Sequence, residues 1–248
     1  MTVLLLGGTT EARRLAEVLL ARGVPVVTSL AGTVAELRLS PGPVRVGGFG
    51  GVTGLVAHLR EQRVTAVVDA THPFAEQITA NAVAACSQVG VPLLRLSRPS
   101  WSTRPDAASW HWVDTVPEAR EAAGRLGERI FLALGRQSLG EFADWADRWL
   151  LVRVVDSPEV DVPANWEVLR ARGPFSRDGE RDLLRTRAVD VLVSKDSGGP
   201  TDAKLDAAAD LGVAVVMVRR PALPADVGVV TSVAGAAAWL HEGPAPLR

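Results

Sequence analysis

The chain repeats one pattern along its length: a short apolar run, a polar turn, then apolar residues three and four positions apart. A run that is apolar throughout and too short for a helix suits a strand buried on both faces. A three-four stripe suits a helix laid on a sheet. The first instance is TVLLL at 2–6, followed from Ala12 by Leu15, Ala16, Leu19 and Leu20, with Gly23 placed to end the helix. VPVVTS at 24–29 reads as the next strand. Strand, helix and strand in that order make a parallel crossover unit.

The alternation continues with predicted strands at 44–46, 64–69 and 91–96 and helices at 55–63 and 74–89. SRPSWSTRPDAASWHW at 97–112 interrupts it, and a second series follows. Its strands are predicted at 130–134, 150–155, 189–194 and 213–218, and its helices at 117–126, 139–146, 179–187 and 201–211. Thr115 and Glu118 have the spacing of a capping box at the first of these helices. The fold expected is α/β, with two Rossmann-like doubly wound parallel-sheet domains and an interdomain cleft. The expected boundaries are 1–98 for a dinucleotide-binding domain, 99–112 for a crossover linker and 113–248 for the second domain, whose final helix is free to pack across the boundary. Residues 112–126 and 229–240 echo one another as strand end, hydroxyl residue and helix. Shared α/β grammar and duplication of one unit both account for that echo.

Composition narrows the chemistry. A formal net charge of −1 gives no bulk attraction to nucleic acid, so an anionic ligand needs a local cluster of cations. The one cysteine, Cys86, excludes an internal disulfide and argues against a cysteine-based zinc site, and four scattered histidines show no ligand spacing, so no metal is expected. No apolar run reaches bilayer length and no cleavable leader pattern follows Met1, so the cytoplasm is the expected compartment and no membrane partner is expected. The number of copies in an assembly is not encoded in any pattern seen here.

Ligands of open parallel sheets lie beyond the carboxyl ends of the strands, so the strand exits matter most. After the first strand, Gly7, Gly8, Thr9 and Thr10 offer small residues and hydroxyls at a helix N-terminus, a setting for a pyrophosphate. The match to G-x-G-x-x-G is imperfect, because Thr9 and Ala12 hold the second and third glycine positions. After the second strand come Thr28 and Ser29, with no acid until Glu36. Hydroxyls without a carboxylate accommodate a 2′-phosphate, which favours NADPH over NADH. VGGFGG at 46–51, with Gly48 inside it, implies unusual backbone angles or a close approach. Asp69, Thr71 and His72 end another strand, with Thr71 and His72 the candidate catalytic groups and Asp69 equally able to cap a helix. In the second series, Lys195, Ser197, Gly198 and Gly199 form a loop suited to an anion, but without Walker A spacing. Arg136 and Arg172 at other exits, with Arg98 from the interruption, suit a ligand bearing several carboxylates, and Trp101 is placed near a flat ligand.

Seven pieces occur in order: LLLGGTTEARRLA, SLAGT, VRVGGFGG, VDATHPFA, RLSRPSW, RGPFS and VSKDSGG. The ordered set resembles the precorrin-6A reductase family of cobalamin biosynthesis, from Val3 to about Pro221. The resemblance implies two Rossmann-like domains and NADPH-dependent reduction of one double bond of a polycarboxylate macrocycle, precorrin-6A, to precorrin-6B. It assigns Gly7, Gly8, Thr9 and Ser29 to the cofactor, brings Thr71 and His72 to the meeting point of nicotinamide and macrocycle, and gives Lys195, Ser197, Gly198 and Gly199 to either a cofactor phosphate or a substrate carboxylate. The alternatives are a reductase or epimerase of a smaller substrate and a non-enzymatic dinucleotide sensor.

Overall fold

The computed structural model describes residues 2–31, 41–157, 161–224 and 227–243. Two compact units emerge: Met1–Pro99 with Pro221–Arg248, and Ser100–Arg220. The first opens with β1 (Val3–Leu6), α1 (Thr10–Ala21), β2 (Val26–Leu30) and β3 (Val44–Val46). It continues with α2 (Gly51–Glu61), β4 (Ala66–Asp69), α3 (Glu76–Val89) and β5 (Leu93–Leu96). All four β1 residues are buried, and their side chains alternate between two cores. Val3 and Leu5 pack with Leu15, Ala16 and Leu19 of α1, whereas Leu4 and Leu6 pack with Leu55 and Leu59 of α2 and Ala82 and Ala85 of α3. Helices on both faces are why the strand is apolar at every position.

Cys86 lies in that second core. Burial first, and the charge of Asp69 second, push its thiol up to about 12 from an ordinary value near 9. The neutral thiol is inert. A thiol reagent is therefore expected to label the native chain roughly 100-fold more slowly at pH 8 than the chain in urea, because only transient opening exposes the group. Equal rates would contradict the burial. The linkage sign is that of a raised pKa: the stabilisation is whole below the unfolded value and is lost as pH rises from about 9 towards about 12.

The second unit runs β6 (His111–Val113), α4 (Val116–Leu126), β7 (Arg129–Ala133), a 3-10 segment (Arg136–Phe142), β8 (Trp149–Val154) and β9 (Trp166–Arg170). It ends with α5 (Arg177–Thr186), β10 (Val191–Lys195), α6 (Ala203–Leu211) and β11 (Ala214–Val218). The chain then adds β12 (Gly228–Val230) and α7 (Val233–Glu242) to the first unit. Every strand pair is parallel, and the sheet orders are β12-β5-β4-β1-β2-β3 and β6-β11-β10-β7-β8-β9.

The two orders are the same order. β1 to β5 correspond to β7, β8, β9, β10 and β11, and the sixth strands are exchanged: β6, after β5 in the chain, extends the second sheet, whereas β12, after β11, extends the first. The echo at 112–126 and 229–240 falls on the two equivalent sixth strands and their helices, capped alike by Thr115 and Ser232. Glu118 completes half of the expected capping box. Its amide bonds Thr115, but its carboxylate accepts from the Asp114 amide.

Three expectations need correction. The chain from 221 returns to the first unit: β12 pairs with β5 rather than with the second sheet, and Ala236, Ala237 and Leu240 of α7 pack into the core beneath α1, the crossing left open for the final helix. Residues 100–112 are no linker, because Trp101 and Trp110 are buried in the second unit's core, the Trp101 amide bonds Asp196 at 2.9 Å, and β6 begins at His111. The helix expected at 139–146 is a 3-10 segment, Arg136–Phe142.

Candidate active site

In an open parallel sheet the ligand crevice opens where neighbouring strands send their connections to opposite faces. In the first unit that point lies between β1 and β4. The Gly7 amide donates to the Ser29 carbonyl at 2.9 Å, which brings the end of β1 against the end of β2. A Cβ on Gly7 would stand 2.8 Å from Cγ2 of Thr28, so only glycine closes this turn without displacing the neighbour. Gly8 has φ +110°, and nothing lies within 4 Å of where its Cβ would be. The turn thus leaves open space beside a backbone that other residues adopt at a cost.

Thr9 caps α1, its hydroxyl accepting from the Ala12 amide at 3.2 Å and donating to the Ala70 carbonyl at 2.7 Å. One side chain therefore joins the loops after β1 and β4. The amides of Thr10 and Glu11 have no acceptor among the described residues. Unpaired donors, the positive end of the helix dipole and open space beside Gly8 fit a phosphate or pyrophosphate. Glu11, which would repel an anion there, is answered by Arg98 at 3.6 Å. Burial pulls the basicity of Arg98 down, Glu11 raises it and Arg95 lowers it. Arg98 thus belongs to the first unit's rim.

The β4 exit is braced from below. Asp69 and Arg95 are each 1% exposed, and Nη1 of Arg95 lies 2.6 Å from Oδ1 of Asp69. Oδ1 also accepts from the amide and hydroxyl of Thr71 at 3.0 and 2.7 Å, and Oδ2 accepts from Thr79 at 2.6 Å. Arg95 donates to the Thr71 hydroxyl at 2.9 Å and to its carbonyl at 3.1 Å. The Thr71 hydroxyl donates to Asp69 and accepts from Arg95, so Thr71 braces the loop. His72 is exposed, and its Nδ1 accepts from the Phe74 amide at 3.3 Å.

Beyond β3, Gly48 is exposed and its carbonyl accepts from Arg45 at 2.8 Å. Arg45, on β3, was not singled out in the sequence, and neither was Arg95. The signal for Arg95 was a lone charge inside an apolar strand, with Asp69 at the end of another. Ser29 is buried, opposite Arg45 in register. Glu36 lies outside the described residues.

In the second unit the corresponding point lies between β7 and β10. Nζ of Lys195 donates to the buried Ser138 hydroxyl at 2.9 Å, joining the two exit loops as Thr9 does in the first unit. Asp196 turns inward, accepting from the Ser100 hydroxyl at 2.6 Å and pairing with Arg220 at 3.2 Å. The Ser197 amide returns to the Lys195 carbonyl at 2.7 Å, and Gly198 and Gly199 follow with positive φ before α6. Arg136 and Arg172 are exposed after β7 and β9. Trp101 is 5% exposed and packs in the second unit's core, with Nζ of Lys204 4.5 Å from its ring. The seven-residue 3-10 segment after β7 presents no aligned helix terminus like that of α1. The first rim is built from glycine, hydroxyls and free amides, the second from cations. Among the described residues no group of three or more His, Cys, Asp or Glu side chains has metal-holding geometry, and no helix is long and apolar enough to cross a membrane.

Two parallel sheets of Rossmann order, one with a phosphate-ready first turn, define a dinucleotide-type α/β protein. The family model for precorrin-6x reductase CbiJ/CobK matches residues 2–241, and the chain belongs to that family of reductase enzymes. It is 51% identical over 240 residues to the precorrin-6A reductase of Rhodococcus erythropolis, covering 96% of each chain. With the cobalt-precorrin-6A reductase of Salmonella typhimurium it shares 32% over 231 residues, covering 88% of this chain and 87% of the relative. A solved CobK precorrin-6A reductase structure superimposes with a TM-score of 0.86 at 41% identity, covering both chains fully.

Proposed function

We propose that the chain uses NADPH to reduce one double bond of precorrin-6A, yielding precorrin-6B. The observation that carries this reading is the difference between the two rims, set within a reductase family. The turn Gly7–Thr10 and the unpaired amides of α1 hold the pyrophosphate, and the absence of an acid beside Thr28 and Ser29 among the described residues suits a 2′-phosphate. Lys195, Arg136 and Arg172 hold carboxylate arms of the macrocycle. This assigns the loop Lys195, Ser197, Gly198 and Gly199 to substrate rather than to cofactor. The greater identity to a relative named for the metal-free macrocycle than to one named for the cobalt form supports the metal-free substrate.

A bound NADPH supplies hydride, which with one proton saturates the double bond. The protein's part is positional. Thr9 and the Asp69–Arg95 brace hold the loops after β1 and β4 in one arrangement, a preset surface that would orient a bound nicotinamide. Lys195, held by Ser138, and the exposed Arg136 and Arg172 supply the charge that orients the ring.

The test follows NADPH absorbance with precorrin-6A and with its cobalt complex. The expected result is one NADPH consumed per metal-free macrocycle and much slower use of NADH. In Lys195→Met the KM for the macrocycle should rise roughly 10- to 100-fold, the value of one charged hydrogen bond, while NADPH affinity stays. Tight NADPH binding with no turnover on either macrocycle would turn the reading into a sensor. Loss of NADPH affinity in Lys195→Met would move the phosphates to the second unit.

A further inference from the structure

Arg45 on β3 is held in an unusual setting. It stands opposite Ser29 in the parallel register, and Ser29 in turn receives the Gly7 amide. Nη1 of Arg45 donates to the Gly47 carbonyl and, at 3.4 Å, to the Ser29 hydroxyl, while Nη2 donates to the Gly48 carbonyl at 2.8 Å. The guanidinium carbon lies 3.8 Å from the centroid of Phe49, whose ring meets His58 edge-on at 5.1 Å. Among the described residues no carboxylate pairs with Arg45. Among the described residues its partners are carbonyls, a hydroxyl and an aromatic face. The charge is felt nearby: His58 is held below its ordinary pKa by burial first and Arg45 second, with Glu61 opposing.

The loop is built to make this platform. A Cβ on Gly54 would fall 1.7 Å from the Phe49 carbonyl oxygen, so glycine at 54 is what lets the loop fold back over α2 and bring the Phe49 ring under the guanidinium. A flat cation fixed on four sides has paid its ordering cost before any ligand arrives. Its Nε–H and second Nη2–H have no acceptor among the described residues. It lies on β3, beside the end of β2 and two strands over from β1, whose exit leads into the helix N-terminus that suits the pyrophosphate; the ribose of a dinucleotide reaches towards the end of β2 in a sheet of this order.

We propose that Arg45, fixed over Phe49 beside Ser29, is the group that selects a 2′-phosphorylated adenosine over one with a free 2′-hydroxyl. The inference rests on the NADPH reading above and names the residue responsible for it. The planar fork donates to two phosphate oxygens, and the Ser29 hydroxyl supplies a further donor.

The test uses adenosine 2′,5′-bisphosphate and 5′-AMP as probes, titrated calorimetrically into the full chain and its Arg45→Met and Arg45→Gln variants. The wild-type chain should bind the bisphosphate roughly 10- to 100-fold more tightly than 5′-AMP. Both variants should bind the two probes alike, at the wild-type affinity for 5′-AMP. Retained preference in both variants would overturn the role of Arg45 while leaving NADPH in place. Loss of both probes in variants that melt like wild type would also overturn it, since Arg45 would then build the whole site. Equal binding of both probes by the wild-type chain would overturn the NADPH reading, and this inference with it.

Discussion

Replacing Arg95 with methionine is expected to remove about 3–5 kcal/mol of folding stability, the usual cost of stranding a buried charge. Asp69 would keep three donors from Thr71 and Thr79 but lose its cation, and both groups of the pair are 1% exposed. Solvent has no path to compensate. The variant Arg95→Met with Asp69→Leu should recover most of the loss, because an apolar pair of similar volume carries no desolvation penalty. Six of the seven tryptophans lie in Ser100–Arg220, so their fluorescence reports mainly the second unit. Urea unfolding should therefore be followed by far-UV circular dichroism, which sees both. A loss under about 1 kcal/mol would mean that Asp69 relaxes to water and that the brace is weak. The single variant should also lower turnover, since Arg95 holds the carbonyl and hydroxyl of Thr71.

That brace marks where sequence reasoning reached and where it stopped. β1 was readable because helices cover both faces, so burial acts on every residue and the pattern is dense. The family was readable because seven short pieces fall in one order. The sixth strands were harder. β6 and β12 are three-residue edge strands, and nothing in an edge strand's composition says which sheet it joins. The exchange of β6 and β12 is therefore invisible locally, although the echo between 112–126 and 229–240 was its trace. β9 escaped notice because WEVLR follows no strict alternation: Glu167 and Arg170 fall on opposite faces of a short strand. Trp101 and Arg45 show the limit in two ways. A tryptophan in a polar stretch suggested a ligand, and its ring packs in the core beside Lys204. Arg45, in a short strand, drew no reading at all, yet the carbonyls of Gly47 and Gly48 and the close approach at Gly54 hold it over Phe49. Both depend on partners distant in sequence or on backbone folding that composition does not encode.

Valine at Gly8 is expected to weaken NADPH binding on the order of 100-fold while leaving a folded chain. The two effects separate because the structure separates them. Nothing lies within 4 Å of a Cβ at Gly8, so the free protein has room for the side chain and meets only backbone strain at φ +110°, a cost of about 1–3 kcal/mol. Gly8 directly precedes the N-cap of α1, whose Thr10 and Glu11 amides have no acceptor among the described residues. A branched side chain there keeps an anion from those donors, and losing charge-assisted hydrogen bonds of about 1.5–3 kcal/mol each accounts for the magnitude. Gly7→Ala makes the contrast. Its Cβ would press on Thr28 Cγ2 at 2.8 Å and Leu30 Cδ2 at 3.1 Å, both core-facing side chains, so that variant should lose stability before affinity. Titration of NADPH into each variant, beside its thermal melt, distinguishes the two. NADPH binding within threefold of wild type in Gly8→Val would mean that the phosphates avoid α1 altogether. The cations after β7 and β10 would then be the remaining place for them, and the division of labour between the two sheets would have to be reversed.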